Sequence, residues 1–252
     1  MRSIQPPPWG PTAAYLYTLK LDDVSLAWEY LRRNIRYCRE YSCATINLEY
    51  RERPHRWGLQ HWEDPRIDAR SADPQWLSAS SEILLDQDRA GESTLAFNLW
   101  KIPGQKTLWH CGNQLRLTSR RSNQVLHRVR WTPDLGEGDP CRVSVAAGRG
   151  FTVRARIAHD FLRSLDRDLH QPFPDNNRRP SLRALTHMQV LQALDGQAAG
   201  ASQREIACRL FGLSSDFNWD ADSRWRMRIR YLLKRGRART ISGYRAMTGG
   251  TR

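Results

Sequence analysis

Apolar residues in the last third of the chain recur at every third or fourth position, which is typical of amphipathic helices. The first such run predicts a supporting helix, and its apolar positions are Leu182, Leu185, Met188, Leu191 and Leu194. A second, shorter helix begins at the capping box Ser202-Gln203-Arg204-Glu205, where the serine and glutamate side chains each satisfy a free backbone N–H. Ile206, Ala207 and Leu210 continue this helix, and Gly212 is expected to end it in a left-handed conformation.

A third helix is predicted over residues 222–235, after a loop over residues 213–220. On a wheel of about 100° per residue, one face of this helix is apolar and should pack on the first two helices. That face carries Trp225, Ile229, Leu232 and Leu233. Gly236 is expected to cap the helix. The succession of supporting helix, short helix, turn and third helix is the order of a helix-turn-helix motif.

The rest of the chain shows helical periodicity near the start and strand periodicity in the middle. Asp22 or Asp23 should cap a helix, and the inward positions of this helix are Val24, Ala27, Trp28, Leu31 and Ile35. Alternating runs bounded by turn residues predict a small antiparallel sheet; the runs are 95–100, 115–117, 125–131 and 141–145. A further helix has an apolar face of Ile157, Phe161, Leu162, Leu165 and Leu169.

These patterns predict an α+β protein with an N-terminal helical segment, a sheet in the middle and a C-terminal helix-turn-helix variant. The expected domains are an N-terminal regulator domain over 1–85, a small β region over 93–150 and a DNA-binding domain over 155–248.

The third helix of the helix-turn-helix unit is strongly basic on its polar sides. Residues 223–239 contain seven arginines, one lysine and no acidic residue. The flanks of the helix carry Arg224, Arg228 and Arg235 on one side and Arg226 and Arg230 on the other. Met227, Tyr231 and Lys234 point straight out between them. Such a face suits the phosphates on either side of a DNA groove, whereas an ordinary solvated helix face usually mixes charges of both signs.

The basic charge of the whole chain is concentrated in the same region. The net charge is +14, and residues 178–252 hold 15 basic and 5 acidic residues, which leaves 25 basic and 21 acidic residues for 1–177. This asymmetry indicates a polyanionic partner. Only four of the 40 cations are lysine; arginine forks suit phosphates and guanine edges, although a GC-rich genome also produces an arginine-rich composition.

Composition and terminal sequence favour a cytoplasmic protein without a membrane partner. Five cysteines without paired spacing argue against a secreted disulfide framework. The proline-rich leader over residues 6–11 is interpreted as a frayed terminus, with docking of Trp9 as the alternative. The N-terminus has no apolar signal region. No apolar run approaches the roughly 20 residues of a membrane span.

Metal and catalytic motifs are weak. Cys38, Cys43, His55 and His61 have a spacing close to that of a zinc finger, but proline and glycine interrupt the segment that would have to be one helix. Half-buried thiols and surface histidines are the preferred interpretation, so no metal or cofactor is expected. The phosphate-loop and zinc-protease motifs are absent. An enzyme acting on DNA is the weakest alternative, and its candidate nucleophile is Tyr244.

Several segments of the chain have the character of family motifs. The C-terminal ones are 194–207 (LDGQAAGASQREIA), 210–212 (LFG), 224–234 and 243–245 (GYR). These segments resemble the proteobacterial activators of excision of integrative and conjugative elements. Residues 28–34 (WEYLRRN), 57–59 (WGL) and 64–65 (DP) are similar to that family's N-terminal "transcriptional regulator" domain. The sheet region between them carries little family signature.

The resemblance implies a helix-turn-helix with an extended turn, which agrees with the long 213–220 loop. It also implies that one side of the C-terminal domain binds DNA while the other side packs on the N-terminal domain. The activators switch on genes for excision and conjugative transfer, and small acidic antiactivators capture their N-terminal domain. Because this chain has both domains and a basic C-terminal one, it resembles the activator.

The first hypothesis is therefore a DNA-binding transcriptional activator of mobile-element transfer genes that is not an enzyme. Its expected DNA contacts are Gln203, Arg204, Arg224, Arg226, Arg228, Arg230, Tyr231, Lys234, Arg235, Arg237, Arg239 and Arg245. The candidate partners are double-stranded DNA, RNA polymerase and an acidic antiactivator on the N-terminal domain. The alternative is a non-catalytic accessory subunit whose basic face meets an acidic protein.

One further surface stays open between two interpretations. The predicted N-terminal helix has a basic outer face, made of Arg32, Arg33, Arg36 and Arg39. This face is either a second nucleic-acid contact or an ordinary exposed helix face.

Overall fold

The computed structural model describes residues 9–44, 53–121, 124–148, 150–165, 179–214, 217–220 and 223–249. Two compact units are present, one formed by Met1–Ser78 with Arg178–Arg252 and the other by Ala79–Asn177. The described residues contain seven α-helices and a five-stranded sheet, so the α+β prediction is confirmed. Residues 6–8 of the predicted leader, the helix start at residue 222 and the apolar position Leu169 lie outside the described residues. The rest of the leader is not frayed, because Gln192 donates to the Trp9 carbonyl at 3.0 Å.

In chain order the helices are α1 (Asp23–Leu31), α2 (Ile35–Ala44), α3 (Phe151–Leu165), α4 (Leu182–Ala198), α5 (Gln203–Phe211), α6 (Arg224–Ala238) and α7 (Tyr244–Thr248). The strands are β1 (Glu82–Gln87), β2 (Gln105–Cys111), β3 (Gln114–Arg121), β4 (Gln124–Trp131) and β5 (Cys141–Ser144). Short 3-10 helices occupy Thr12–Lys20, Pro54–Trp57 and Leu99–Lys101.

The unit of residues 79–177 is built on the sheet, in the strand order β2-β3-β4-β1-β5. The sheet is mixed rather than antiparallel throughout, because β1 pairs parallel with β4 while the other pairs are antiparallel. The predicted run 95–100 is not a strand: Ala96 makes only an isolated bridge to Pro140. Helix α3 covers one face of the sheet, and Phe161 lies in the core with Val129 and Trp131.

The unit of residues 1–78 and 178–252 is helical, and its caps follow from the sequence. Asp22 accepts a hydrogen bond from the Ser25 N–H at 2.9 Å, so the predicted cap of α1 is confirmed. The capping box of α5 is present with both of its hydrogen bonds. Gly212 ends α5 at φ 64° and ψ 33°, the left-handed conformation that a glycine adopts at little cost.

The predicted N-terminal helix is in fact two helices. The first ends at Leu31, and Asn34 starts α2 by accepting hydrogen bonds from the backbone N–H groups of Arg36 and Tyr37 at 2.9 and 3.2 Å. The change of direction leaves Ile35 69% exposed, so its expected inward position is wrong. It also removes Arg33 from the expected basic outer face, because the side chain of Arg33 is only 9% exposed.

Arg33 lies in a buried polar cluster that joins the N-terminal and C-terminal segments of this unit. Its guanidinium donates to both carboxylate oxygens of Asp195 on α4, at 2.7 and 2.8 Å, and to Glu29 at 2.6 Å. Tyr15 also donates to Asp195, at 2.7 Å. Burial lowers the pKa of Arg33, but the two carboxylates more than offset this and the pKa lies above its usual value. The expected packing of the C-terminal helices on the N-terminal ones therefore contains a buried ion pair.

Gly236 lies within α6 rather than capping it, which corrects the expected helix end. The helix continues through Ala238 because residue 236 is buried against α4. A Cβ atom at this position would lie 2.8 Å from Cγ of Leu194. The glycine thus allows the close approach of α6 to the supporting helix.

Replacing Gly236 by alanine is expected to lower the free energy of unfolding by about 1 kcal/mol. Overpacking against Leu194 costs about 1–3 kcal/mol and outweighs the gain in helix propensity of about 1 kcal/mol. Urea denaturation followed by circular dichroism measures the change. In a Leu194→Ala background the alanine should no longer destabilise, and a stabilising effect in both backgrounds would contradict the packing explanation.

The segment after α6 is helical through Thr248. A π-helical turn at Arg239–Gly243 leads directly into α7. Tyr244 on α7 is fully buried, donates to the Trp57 carbonyl at 3.2 Å and lies beside the ring of Trp76. A buried tyrosine is not presented to a DNA backbone, which argues against Tyr244 as the nucleophile of an enzyme acting on DNA.

The zinc-like spacing does not assemble a metal site. In the described part of the chain, which includes both cysteines and both histidines of that spacing, no cluster of potential ligands is found. Cys38 instead donates its thiol to the Arg32 carbonyl at 3.2 Å, and burial raises its pKa to about 11. The same described residues contain no helix long and apolar enough to span a membrane.

Candidate DNA-binding surface

Helices α5 and α6 are held on α4 by the apolar positions that the periodicity predicts. Ile206 and Ala207 of α5 are buried, and the buried positions of α6 include Ile229 and Leu232. Beyond the turn, the ring of Trp225 stacks on that of Phe211 with centroids 4.6 Å apart. The two helices therefore have one defined arrangement, and the polar side of α6 is left exposed.

The segment between α5 and α6 is fastened to α5 by Arg204. The Arg204 guanidinium donates to the Phe217 carbonyl at 3.3 Å and lies 5.7 Å from the centroid of the Phe217 ring. Phe217 in turn packs edge-on against Trp219. Arg204 thus combines a structural contact with an exposed position next to α6. Gln203, at the first position of α5, is half-buried.

The exposed face of α6 consists of cations on both sides of Met227 and Tyr231, with Lys234 further along the same line. The exposed residues are Arg224, Met227, Arg230, Tyr231, Lys234, Arg237 and Ala238, and the half-buried cations Arg226, Arg228 and Arg235 line its edges. We call these ten residues the α6 face. Within the described residues, no carboxylate forms a salt bridge with a cation of this face. The unneutralised charge suits a polyanion such as DNA.

Three side chains of the α6 face are stacked on one another. The guanidinium groups of Arg228 and Arg235 lie 5.7 and 5.8 Å from the centroid of the Tyr231 ring, on either side along the helix. Arg235 also donates to the Tyr231 hydroxyl, and Arg228 donates to the Gln189 side-chain carbonyl at 3.2 Å. These contacts restrain the side chains before any ligand binds, which lowers the entropic cost of ordering them.

Two further cations are held at the ends of α6. Arg224 lies 4.6 Å from the centroid of the Trp225 ring, and Arg237 donates to the Gln197 side chain at 3.2 Å. The supporting roles of Gln189, Gln197 and Trp225 were not predicted. Sequence spacing carries no signal for Gln189 and Gln197, because these residues contact α6 only through the packing of α4.

Arg239 and Arg245 are not part of the α6 face. Arg239 is half-buried, 2.8 Å from the His187 ring nitrogens and over the Tyr30 ring. Burial and the charge of Arg239 lower the pKa of His187 to about 3, so this histidine is neutral near pH 7. Arg245 donates to the Arg56 carbonyl and to the Tyr244 hydroxyl. Contact of these two arginines with DNA stays a prediction.

Three family models match parts of the chain. Residues 144–248 match the model described as "T6SS, Transcription factor, DNA binding domain". Residues 8–61 match a proteobacterial transcriptional regulator-like domain, and residues 82–126 match a domain of unknown function. No curated protein and no solved structure matches the chain significantly. The α6 face lies within the first match, and the matches indicate a DNA-binding transcriptional regulator of a proteobacterial type, a class that points to a non-enzyme.

Proposed function

We propose that this chain activates the excision and conjugative-transfer genes of a mobile element by binding their promoter DNA through the α6 face. The observation that carries the proposal is the cationic face of α6, which packs on α4 and α5 in helix-turn-helix order and has no carboxylate partner among the described residues. The resemblance of the α5, α6 and α7 segments to excision activators supports the choice of target genes. The protein would then act in the cytoplasm, on the nucleoid.

The docking geometry follows from the exposed side chains. With the apolar side of α6 on α4, the opposite side is the one that enters a major groove, as the second helix of such motifs does. Arg224 and Arg230 then reach phosphates at the rim, and Gln203 and Arg204 lie close enough to anchor α5 on the backbone. Arg228, which is restrained by Gln189 and Tyr231, is placed to donate to a base edge.

The N-terminal helices have a supporting role in this proposal. They fix α4 through the Arg33–Asp195 ion pair, and their remaining surface is available to RNA polymerase or to an acidic antiactivator. One observation favours a second set of target genes: the description of the matched DNA-binding family names T6SS, the type VI secretion system. Secretion promoters are therefore tested beside transfer promoters.

Fluorescence anisotropy of the full chain on labelled promoter duplexes, across a salt series, tests the proposal. We expect binding to a cognate promoter about a thousandfold tighter than to a scrambled duplex, within the usual range for specific regulators. Equal binding to both duplexes, with a steep loss of affinity at high salt, would show that the α6 face binds DNA without sequence specificity. Tight binding to an acidic protein and to no duplex would favour the accessory-subunit alternative.

Arg228→Ala separates base reading from phosphate contact. If Arg228 donates to a base edge, specific binding should weaken by about 1–3 kcal/mol while binding to scrambled duplex changes little. Arg230→Ala is the matched comparison, since a phosphate contact should weaken all sequences alike and reduce the salt slope by about one. Identical behaviour of the two variants would contradict the assignment of Arg228 to a base.

A further inference from the structure

The centre of the α6 face carries side chains that do not bind phosphate. Met227 and Tyr231 are 58% and 46% exposed and lie one helical turn apart. The face places them between Arg224 and Arg230, both exposed cations. When a helix lies in a major groove, its flanks face the two phosphate chains and its centre faces the base edges. Met227 and Tyr231 therefore meet bases rather than backbone.

The chemistry of the two central residues restricts what they can read. Methionine has no hydrogen-bond donor and only a weak acceptor. The hydroxyl of Tyr231 accepts from Arg235, and the two stacked arginines keep its ring beside them. Of the four bases, only thymine presents an apolar group in the major groove, its C5 methyl. Lys234, the third outward-pointing residue, lies about one turn beyond Tyr231 and can donate to guanine or to a phosphate there.

We propose that Met227 and the ring of Tyr231 read thymine methyl groups in the DNA site, an inference that rests on the proposed function and names its specificity. Four residues of helix rise by about 6 Å, and successive base pairs are about 3.4 Å apart. The two thymines should therefore lie roughly two base-pair steps apart. Arg224 and Arg230 position the helix, Arg228 donates to one base edge, and Met227 and Tyr231 select the thymines between them.

Replacement of thymine by deoxyuracil tests this, because the exchange removes only the methyl group. Duplexes that the full chain enriches from a randomised pool define the site, and synthetic duplexes then carry uracil at one position at a time. We expect about fourfold weaker binding at the thymine under Met227, the factor for burying one methyl group. Uracil outside the bound site is the control and should have no effect.

A double-mutant cycle assigns the methyl group to its side chain. Met227→Ala should bind thymine and uracil duplexes with equal affinity at that position, while Met227→Leu should keep the preference. Tyr231→Phe should keep the discrimination at the second thymine, since the ring remains. Circular dichroism checks that each variant is folded, which is expected for such exposed positions.

The outcomes separate the two proposals. If duplexes are enriched but uracil is tolerated at every position, or if Met227→Ala keeps the full thymine preference, the methyl-reading inference is overturned and the proposed function stands. If no duplex is enriched over the random pool, the proposed function fails and the inference with it.

Discussion

Removing four charges from the α6 face should weaken DNA binding by about a thousandfold at about 0.15 M salt. The variant carries glutamine at Arg224, Arg226, Arg230 and Lys234. Each phosphate contact contributes about 0.9 to the slope of log affinity against log salt, so four lost contacts reduce the slope by about 3.6. Anisotropy on a fixed duplex across a salt series measures both quantities. The affinity falls because a cation that contacts a phosphate releases a counterion from the DNA, and glutamine does not.

A matched control changes the same charge elsewhere in the chain. Arg66, Arg89, Arg163 and Lys101 are exposed and lie outside the α6 face. Their replacement by glutamine removes the same three arginines and one lysine, and binding should fall by much less. If the two variants lost affinity equally, net charge rather than the α6 face would account for binding.

The second large effect concerns the buried ion pair. Arg33→Met should lower the free energy of unfolding of the helical unit by about 3–5 kcal/mol, because Asp195 then remains buried without its cation and Glu29 keeps only Arg32, at 3.6 Å. Asp195 is 4% exposed and Glu29 is fully buried in their side chains, so water does not replace the lost partner. Urea denaturation followed by circular dichroism at 222 nm reports the helices.

Arg36→Met is the matched control. Arg36 lies three residues further along and pairs with Glu40 at 3.1 Å, but its side chain is 69% exposed. An exposed pair of this kind contributes at most about 1 kcal/mol. Comparable losses for the two variants would show that the Arg33 cluster is no stronger than a surface ion pair.

Much of the helical part of the fold could be predicted from local sequence. Capping residues act within one turn, so the cap at Asp22, the box at Ser202 and the stop at Gly212 are confirmed. Periodicity identified the buried side of α6 because the apolar residues of this helix lie on the side that packs on α4 and α5. It failed at Ile35, where a short turn led by Asn34 reorients the chain.

The sheet was predicted less completely. β3, β4 and β5 lie where alternation predicted strands, but β1 and β2 do not coincide with any predicted run. The parallel pairing of β1 with β4 depends on residues more than 40 positions apart. Nothing in either local segment specifies that pairing, because parallel partners meet only through a long connection.

The candidate DNA-binding surface was likewise predicted only in part. The concentration of cations in α6 and the outward positions of Met227 and Tyr231 follow from residue spacing. The partners of those cations do not. Arg228 meets Gln189, Arg237 meets Gln197, and Arg239 turns toward His187, all across distances in sequence that periodicity does not reach.

By itself, the sequence determined the caps at Asp22, Ser202 and Gly212, the apolar sides of α5 and α6, and the concentration of positive charge in α6. Each of these depends on neighbours within a few residues. Only the tertiary structure decided that Arg33 is a buried partner of Asp195, that Gly236 is a packing position and that Tyr244 is enclosed. The reason is physical: whether a charged or aromatic side chain meets water or protein depends on which distant segment packs over it, and that packing is a property of the whole unit.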